Sequence, residues 1–356
     1  ASNAAVQVLK EGEVQGSDVA AHSAGVLDIR TNILADTDAL YLTAIDKYGH
    51  ELWRWTFPVE KLNQQSEPIS FLSIRPTYTE TENDLIVKAN KRTFIFSKKD
   101  GQLKGVSVDN RKISFANGPR FIGARRADRS LDQFYNHDDE KAKEKDRTYS
   151  EFPDAAVFTK LDVKQDGGDL IVTANYKLGN LDKAQWTINP SGDLALDYTY
   201  NFSGVVDLMG IRFDYPEDQV ISKRWLGAGP YRVWQNRIHG TQYDVWENDY
   251  NDPIPGETFT YPEFKGYFGD VSWMNIQTKE GTISLTNETP DTYIGVYQPR
   301  DGRDRLLYTL PESGISVLNV IPPVRNKVNS TDLCGPSSQP KWVNGPQTGR
   351  VIFRFM

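Results

Sequence analysis

The chain has 356 residues, 38% hydrophobic and 25% charged, enough apolar material for a packed core and too much for general disorder. A net charge of −7 excludes nucleic acid and an anionic membrane surface as expected partners, because an acidic surface repels both, while a neutral glycan stays open. One cysteine, Cys334, cannot close an intrachain disulfide, and no apolar run is long enough for a membrane-spanning helix.

Ser2-Asn3-Ala4 resembles the scar of tag removal. Residues 1–66 read as a small β-rich unit. Val26 to Arg30 is expected as a strand, as are Leu40 to Ile45 and, beyond a turn at Asp46 to Gly49, Glu51 to Phe57. Asn63 to Pro68 is polar and ends in proline, as a linker does. Residues 67–356 carry repeated hairpins. Asp84 to Ala89, Thr93 to Ser97 and Leu103 to Val108 are strands around an Asp100-Gly101 turn. Asp166 to Gly168 turns into Leu170 to Tyr176, and Glu280-Gly281 into Thr282 to Thr286. Leu194 to Phe202 is the clearest strand, with Leu194, Leu196, Tyr198, Tyr200 and Phe202 on one face and Ala195, Asp197, Thr199 and Asn201 on the other. This period-2 pattern predicts an all-β protein of large stacked antiparallel sheets. The mixed charges of Asp138 to Arg147 read as a solvated loop or short helix, and Tyr243 to Gly269 as an insertion-like loop.

The segment that draws functional attention runs from Trp225 to Arg237. A strand enters Gly227, Gly229 and Pro230, and Tyr231, Trp234, Asn236 and Arg237 follow. Ring faces beside amide and guanidinium donors suit a sugar, which presents C–H patches and hydroxyl edges. The plainer alternative is a strand, a turn and a loop whose aromatics simply pack. No nucleophile elbow, phosphate-binding loop or zinc motif is present, and the four histidines have no metal spacing, so neither a metal nor another cofactor is expected, with a structural calcium left open. Glu247, Asp249, Asp252, Glu257, Glu263 and Asp270 crowd one loop region, but as loop residues their spacing does not define an acid/base pair.

Taken in order, these stretches resemble the C-terminal part of a glycoside hydrolase family 2 enzyme of the β-galactosidase type. Trp225 to Arg237 is similar to that family's Trp-Phe/Tyr-Gly-x-Gly-Pro-x-Glu-x-Tyr-x-Asp-Arg segment. Asp100-Gly101 to Gly118-Pro119-Arg120-Phe121 resembles its opening hairpins, and Asp332 through Trp342 to Phe355 its last loop and strand. The sequence departs from the family at Ala124-Arg125-Arg126-Ala127-Asp128-Arg129, where an Arg-Ala-Pro-x-Asp-Asn-Asp loop is usual. It departs again at Val233 (or Arg232) and Asn236, where Glu and Asp are usual. The resemblance implies a galactose mutarotase-like antiparallel supersandwich over 67–356, preceded by a partial immunoglobulin-like β-sandwich over 1–66. It implies a non-catalytic region that binds carbohydrate and shapes the active site of a parent hydrolase whose barrel is not in this chain, with that parent chain as partner and a bacterial periplasmic or extracellular setting. Trp225, Tyr231, Trp234, Asn236, Arg237, Arg125 and Trp342 are the implied carbohydrate contacts, Trp342 as a wall of the active-site mouth or, alternatively, a core residue. Two other readings compete. One is a free-standing mutarotase or epimerase using His239 with Glu263 or Asp270 for proton transfer. The other is a glycan-binding module that acts without any enzyme.

Overall fold

A computed structural model describes residues 2–3, 6–16, 18–29, 37–59, 75–126, 149–249, 266–296, 311–323 and 335–356. The proposed linker Asn63 to Pro68, the charge run Asp138 to Arg147, residues 127–129, Cys334 and Glu263 lie outside them. The chain divides into two units, Ala5–Ser70 and Ala1–Ala4 with Phe71–Met356.

In the larger unit β1 (Ser2–Asn3) is a short edge strand. In the smaller unit, β2 (Ala39–Ile45) and β3 (Glu51–Pro58) form an antiparallel hairpin. The strand expected at Val26 to Arg30 is not formed over its described residues 26–29. Val26 and Leu27 are adjacent apolar residues rather than alternating ones, and Val26 is almost fully exposed, so no single face exists for a sheet to bury.

The larger unit stacks two antiparallel sheets. The second sheet is built first along the chain, from β4 (Thr77–Glu80), β5 (Asp84–Ala89), β6 (Arg92–Ser97), β7 (Leu103–Val108), β8 (Arg111–Ile113), β9 (Ala116–Arg126) and β10 (Tyr149–Glu151). The chain then crosses into the first sheet through β11 (Val157–Asp166), β12 (Asp169–Lys177), β13 (Leu181–Ile188) and β14 (Leu194–Val206). It returns for β15 (Leu208–Asp214) and crosses again for β16 (Val220–Gly229), β17 (Gln242–Asp249), β18 (Trp273–Thr278) and β19 (Gly281–Asn287). β20 (Tyr293–Val296) and β21 (Ile315–Val320) complete the second sheet, and β22 (Lys341–Phe355) closes the first beside β14. The first sheet runs β1-β17-β16-β18-β19-β22-β14-β13-β12-β11. The second runs β20-β21-β15-β9-β7-β6-β5-β4, with β10 on β9 and β8 on β7. No α-helix occurs among the described residues. This is the all-β antiparallel supersandwich expected. The insertion-like reading of Tyr243 to Gly269 needs correction at its start, because Gln242–Asp249 is β17, paired from Gln242 opposite Gly229 to Asp249 opposite Ser222.

The core lies between the sheets. Leu194, Leu196, Tyr198 and Tyr200 of β14 are buried on the predicted face. Phe213 of β15 meets Phe353 of β22 at 5.3 Å between centroids, and Phe115 stacks on Phe213 at 4.7 Å. Tyr198 is accommodated by Gly349 directly opposite it on β22, where an added Cβ would come within 2.3 Å of the tyrosine hydroxyl. Glu280, in the β18–β19 turn, ties the two sheets together. It accepts bonds from the Ser114 amide at 2.8 Å, the Ser114 hydroxyl at 2.6 Å and the Tyr215 hydroxyl at 3.0 Å.

Candidate functional site

β16 delivers the aromatic segment. Trp225 stands on its core face, fully buried, with its indole N–H donated to the Ala228 carbonyl at 3.0 Å and its ring edge-on to Phe268 at 4.8 Å. Both of its faces therefore meet protein. After Pro230 the chain makes two short cross-links. Val233 exchanges backbone bonds with Tyr267 at 2.7 and 2.9 Å, and the Arg237 amide returns to the Trp234 carbonyl at 2.8 Å. The first requires Gly266, since a Cβ there would lie 2.1 Å from the Val233 carbonyl oxygen.

This turn caps a second, smaller apolar cluster on the outer face of the second sheet. Val233, Trp234 and Tyr267 pack with Ile122, Ala124, Leu208 and Leu318. Trp234 is buried against the edge of Tyr267 at 5.7 Å, so it too is enclosed by protein. Burial pushes the Tyr267 phenol well above its ordinary range, and Tyr293 rises through burial and then the nearby Asp270 and Asp291. Both phenols stay neutral and act as donors or apolar surface at any ordinary pH.

The rim of the turn is polar and joins distant segments. The Gln235 amide N–H reaches the Pro322 carbonyl at 3.1 Å, and the Gln235 side chain donates to the Gln339 carbonyl at 2.8 Å. The Asn236 side chain donates to the Ser338 hydroxyl at 3.2 Å. A 3₁₀ turn at Pro336–Ser338 leads from there into β22, where Trp342 is 71% exposed and stands opposite Val205. Two residues beyond Val205, the Asp207 amide donates to the Ala124 carbonyl at 3.0 Å, next to half-buried Arg125, which pairs in register with Ser150. Tyr231 is 41% exposed, and Arg237 is exposed.

Of the seven residues singled out, two are thus sealed in apolar packing (Trp225 and Trp234). Asn236 is bonded to the segment that launches Trp342, and Arg125 follows Ala124, whose carbonyl takes the Asp207 amide. Tyr231, Arg237 and Trp342 present surface. Sequence reasoning did not single out Gln235, Ser338 or Gln339, the residues that hold the rim together. Their partners are about a hundred positions apart, and no local spacing signals such a bond. For the proton-transfer reading, His239 and Asp270 are both exposed and share no hydrogen bond among the described residues, while Glu263 lies outside them. Among the described residues no group of three or more His, Cys, Asp or Glu side chains is placed to hold a metal ion.

The family described as beta galactosidase small chain matches residues 88–321, more than half of the chain. No curated protein matches. Among solved structures, a galactose 1-epimerase from Lactobacillus acidophilus NCFM is similar at 9% identity, with a TM-score of 0.44 over 80% of this chain and 99% of that one. An amine oxidase from Aspergillus nidulans is similar at 8% identity, with a TM-score of 0.33 over 84% of this chain and 55% of that one.

Proposed function

The chain belongs to the beta-galactosidase small chain family, and from that premise we propose that it is a non-catalytic carbohydrate-binding region that shapes the sugar site of a family 2 glycoside hydrolase. The observation that carries this reading is the knitted rim. The Asn236 and Gln235 side chains are bonded to the Ser338–Gln339 segment, three to four residues before the exposed Trp342. An exposed indole anchored beside these bonds costs little entropy to dock against a sugar's C–H face, and Arg and Asn side chains suit its hydroxyls. The parent hydrolase supplies bond cleavage, and this chain supplies one wall.

Calorimetric titration of the chain with lactose and longer galacto-oligosaccharides tests the reading. Binding is expected, and Trp342→Ala should weaken it by about tenfold or more, roughly 1.4 kcal/mol, with the unfolding midpoint unchanged. No turnover of an aryl β-galactoside is expected. Robust hydrolysis by the pure chain, or equal affinity in Trp342→Ala, overturns the proposal.

A further inference from the structure

On the face of the second sheet turned away from the shared core, the register sets Arg120, Arg212, Ser316 and Gly295 side by side across β9, β15, β21 and β20. The next row is Ile122, Gly210, Leu318 and Tyr293. The apolar part of that second row is roofed by Val233, Trp234 and Tyr267. At the arginine end of the first row, 28% of the Arg120 side chain is exposed and Arg212 is half-buried.

Two like charges directly opposite on neighbouring strands repel, and a sheet normally avoids the arrangement. Here both guanidiniums are anchored from one side. Arg120 Nη2 pairs with Asp214 Oδ1, whose other oxygen accepts from Asn117 Nδ2 at 3.0 Å. Arg212 Nη1 donates to the Glu312 carbonyl. The Asp154 carboxylate also feels both guanidiniums. Each guanidinium carries five N–H donors, and these anchors engage one terminal nitrogen of each. The Nε–H of Arg120 and that of Arg212 are buried without an acceptor, and so is the Ser316 hydroxyl. The two Nε–H groups can only donate and the serine hydroxyl can donate too, so an acceptor with several oxygens is the complement common to all three. Adjacent strands lie about 4.8 Å apart, which puts two forks within reach of one oxyanion, the geometry in which arginine outperforms lysine. The chain as a whole is acidic, so this local cationic pair is not a by-product of a basic surface.

We propose that Arg120 and Arg212 form a subsite for the oxyanion substituent of an acidic sugar, a uronate carboxylate or a sulfate ester, beside the Trp234 turn. The sugar half of this assignment rests on the carbohydrate reading above. The oxyanion half stands on the arginine pair alone.

Titrations of the full chain with digalacturonate, galactose 6-sulfate, lactose and inorganic sulfate at low ionic strength test it. At least one anionic sugar should bind about tenfold or more tightly than both lactose and inorganic sulfate, and Arg120→Gln or Arg212→Gln should remove that advantage. Arg212→Lys, which keeps the charge and the neighbouring packing, should lose several-fold because the planar fork is gone. It also serves where a glutamine variant fails to fold. The proposal is overturned if anionic and neutral sugars bind alike, if inorganic sulfate accounts for the affinity, or if the arginine variants bind as the parent does. Lactose binding that depends on Trp342 without any anionic preference sinks this subsite and leaves the carbohydrate reading standing. An arginine-dependent anionic preference in a chain that ignores lactose sinks the Trp342 reading instead and supports the oxyanion half.

Discussion

The β14 strand and the β2–β3 hairpin carry the same alternation and meet opposite fates. On β14, Leu194, Leu196, Tyr198 and Tyr200 disappear into the space between two sheets. On the hairpin, cross-strand pairing gathers Leu40, Leu42, Ala44, Trp53, Trp55 and Phe57 on one face, and the three aromatic rings remain substantially exposed. Alternation specifies which side is apolar. Burial depends on whether a second layer is there to receive it. Two strands have no such layer of their own, which is why an isolated hairpin is marginal in water.

The sharpest way to break that comparison is to delete a large ring from each side of it. Trp225→Ala removes a fully enclosed indole together with its contact to Phe268 and its bond to Ala228. A loss of about 3–5 kcal/mol is expected in denaturant unfolding of the larger unit. A loss below about 1 kcal/mol would mean that Trp225 is not the packing element described here, and would return it to the list of ligand contacts.

A smaller effect is expected where the two sheets are joined by polar groups instead of rings. Burial alone would raise the Glu280 carboxyl, but bonds from the Ser114 hydroxyl and amide and from Tyr215 outweigh it and hold the group below its ordinary 4.5. A depressed carboxyl stabilises the fold above its unfolded value and loses that contribution as pH falls through the lower folded value. Glu280→Gln should therefore cost about 1–2 kcal/mol near neutral pH. The gap between parent and variant should narrow as the pH is lowered below about 4.5. Urea melts of both proteins across that range check it, and a gap that stays constant with pH would rule out an ionised Glu280 as the inter-sheet tie.

The two faces of this comparison were unequally legible in the sequence. The β14 pattern could be read locally because its apolar side chains recur at every second residue and are bracketed by turn residues. The strand–turn character of Val220 to Pro230 was legible for the same reason. What each ring does was not. Trp225 and Trp234 look as available as Tyr231 and Trp342 in the sequence, and differ because Phe268 and Tyr267, more than thirty positions downstream, come back to cover the first two. Arg120 and Arg212 are ninety-two residues apart and become neighbours only through the β9–β15 register. Val26 to Ile29 failed in the other direction. It is apolar enough for a strand, but without a one-sided pattern it offers nothing for a sheet to bury.

The smallest expected effect is on the exposed side. Trp55 stands opposite Leu42 on the open face of the hairpin, and Trp55→Ser exchanges ring surface already in contact with water for a small polar group. The unfolding free energy of the larger unit should change by less than about 0.5 kcal/mol, and the protein should become less prone to self-associate, since contiguous exposed apolar surface promotes association. Denaturant melts paired with light scattering measure both quantities. A destabilisation approaching that of Trp225→Ala would mean that the hairpin's apolar face is buried in solution, and that its alternation does the same structural work as that of β14.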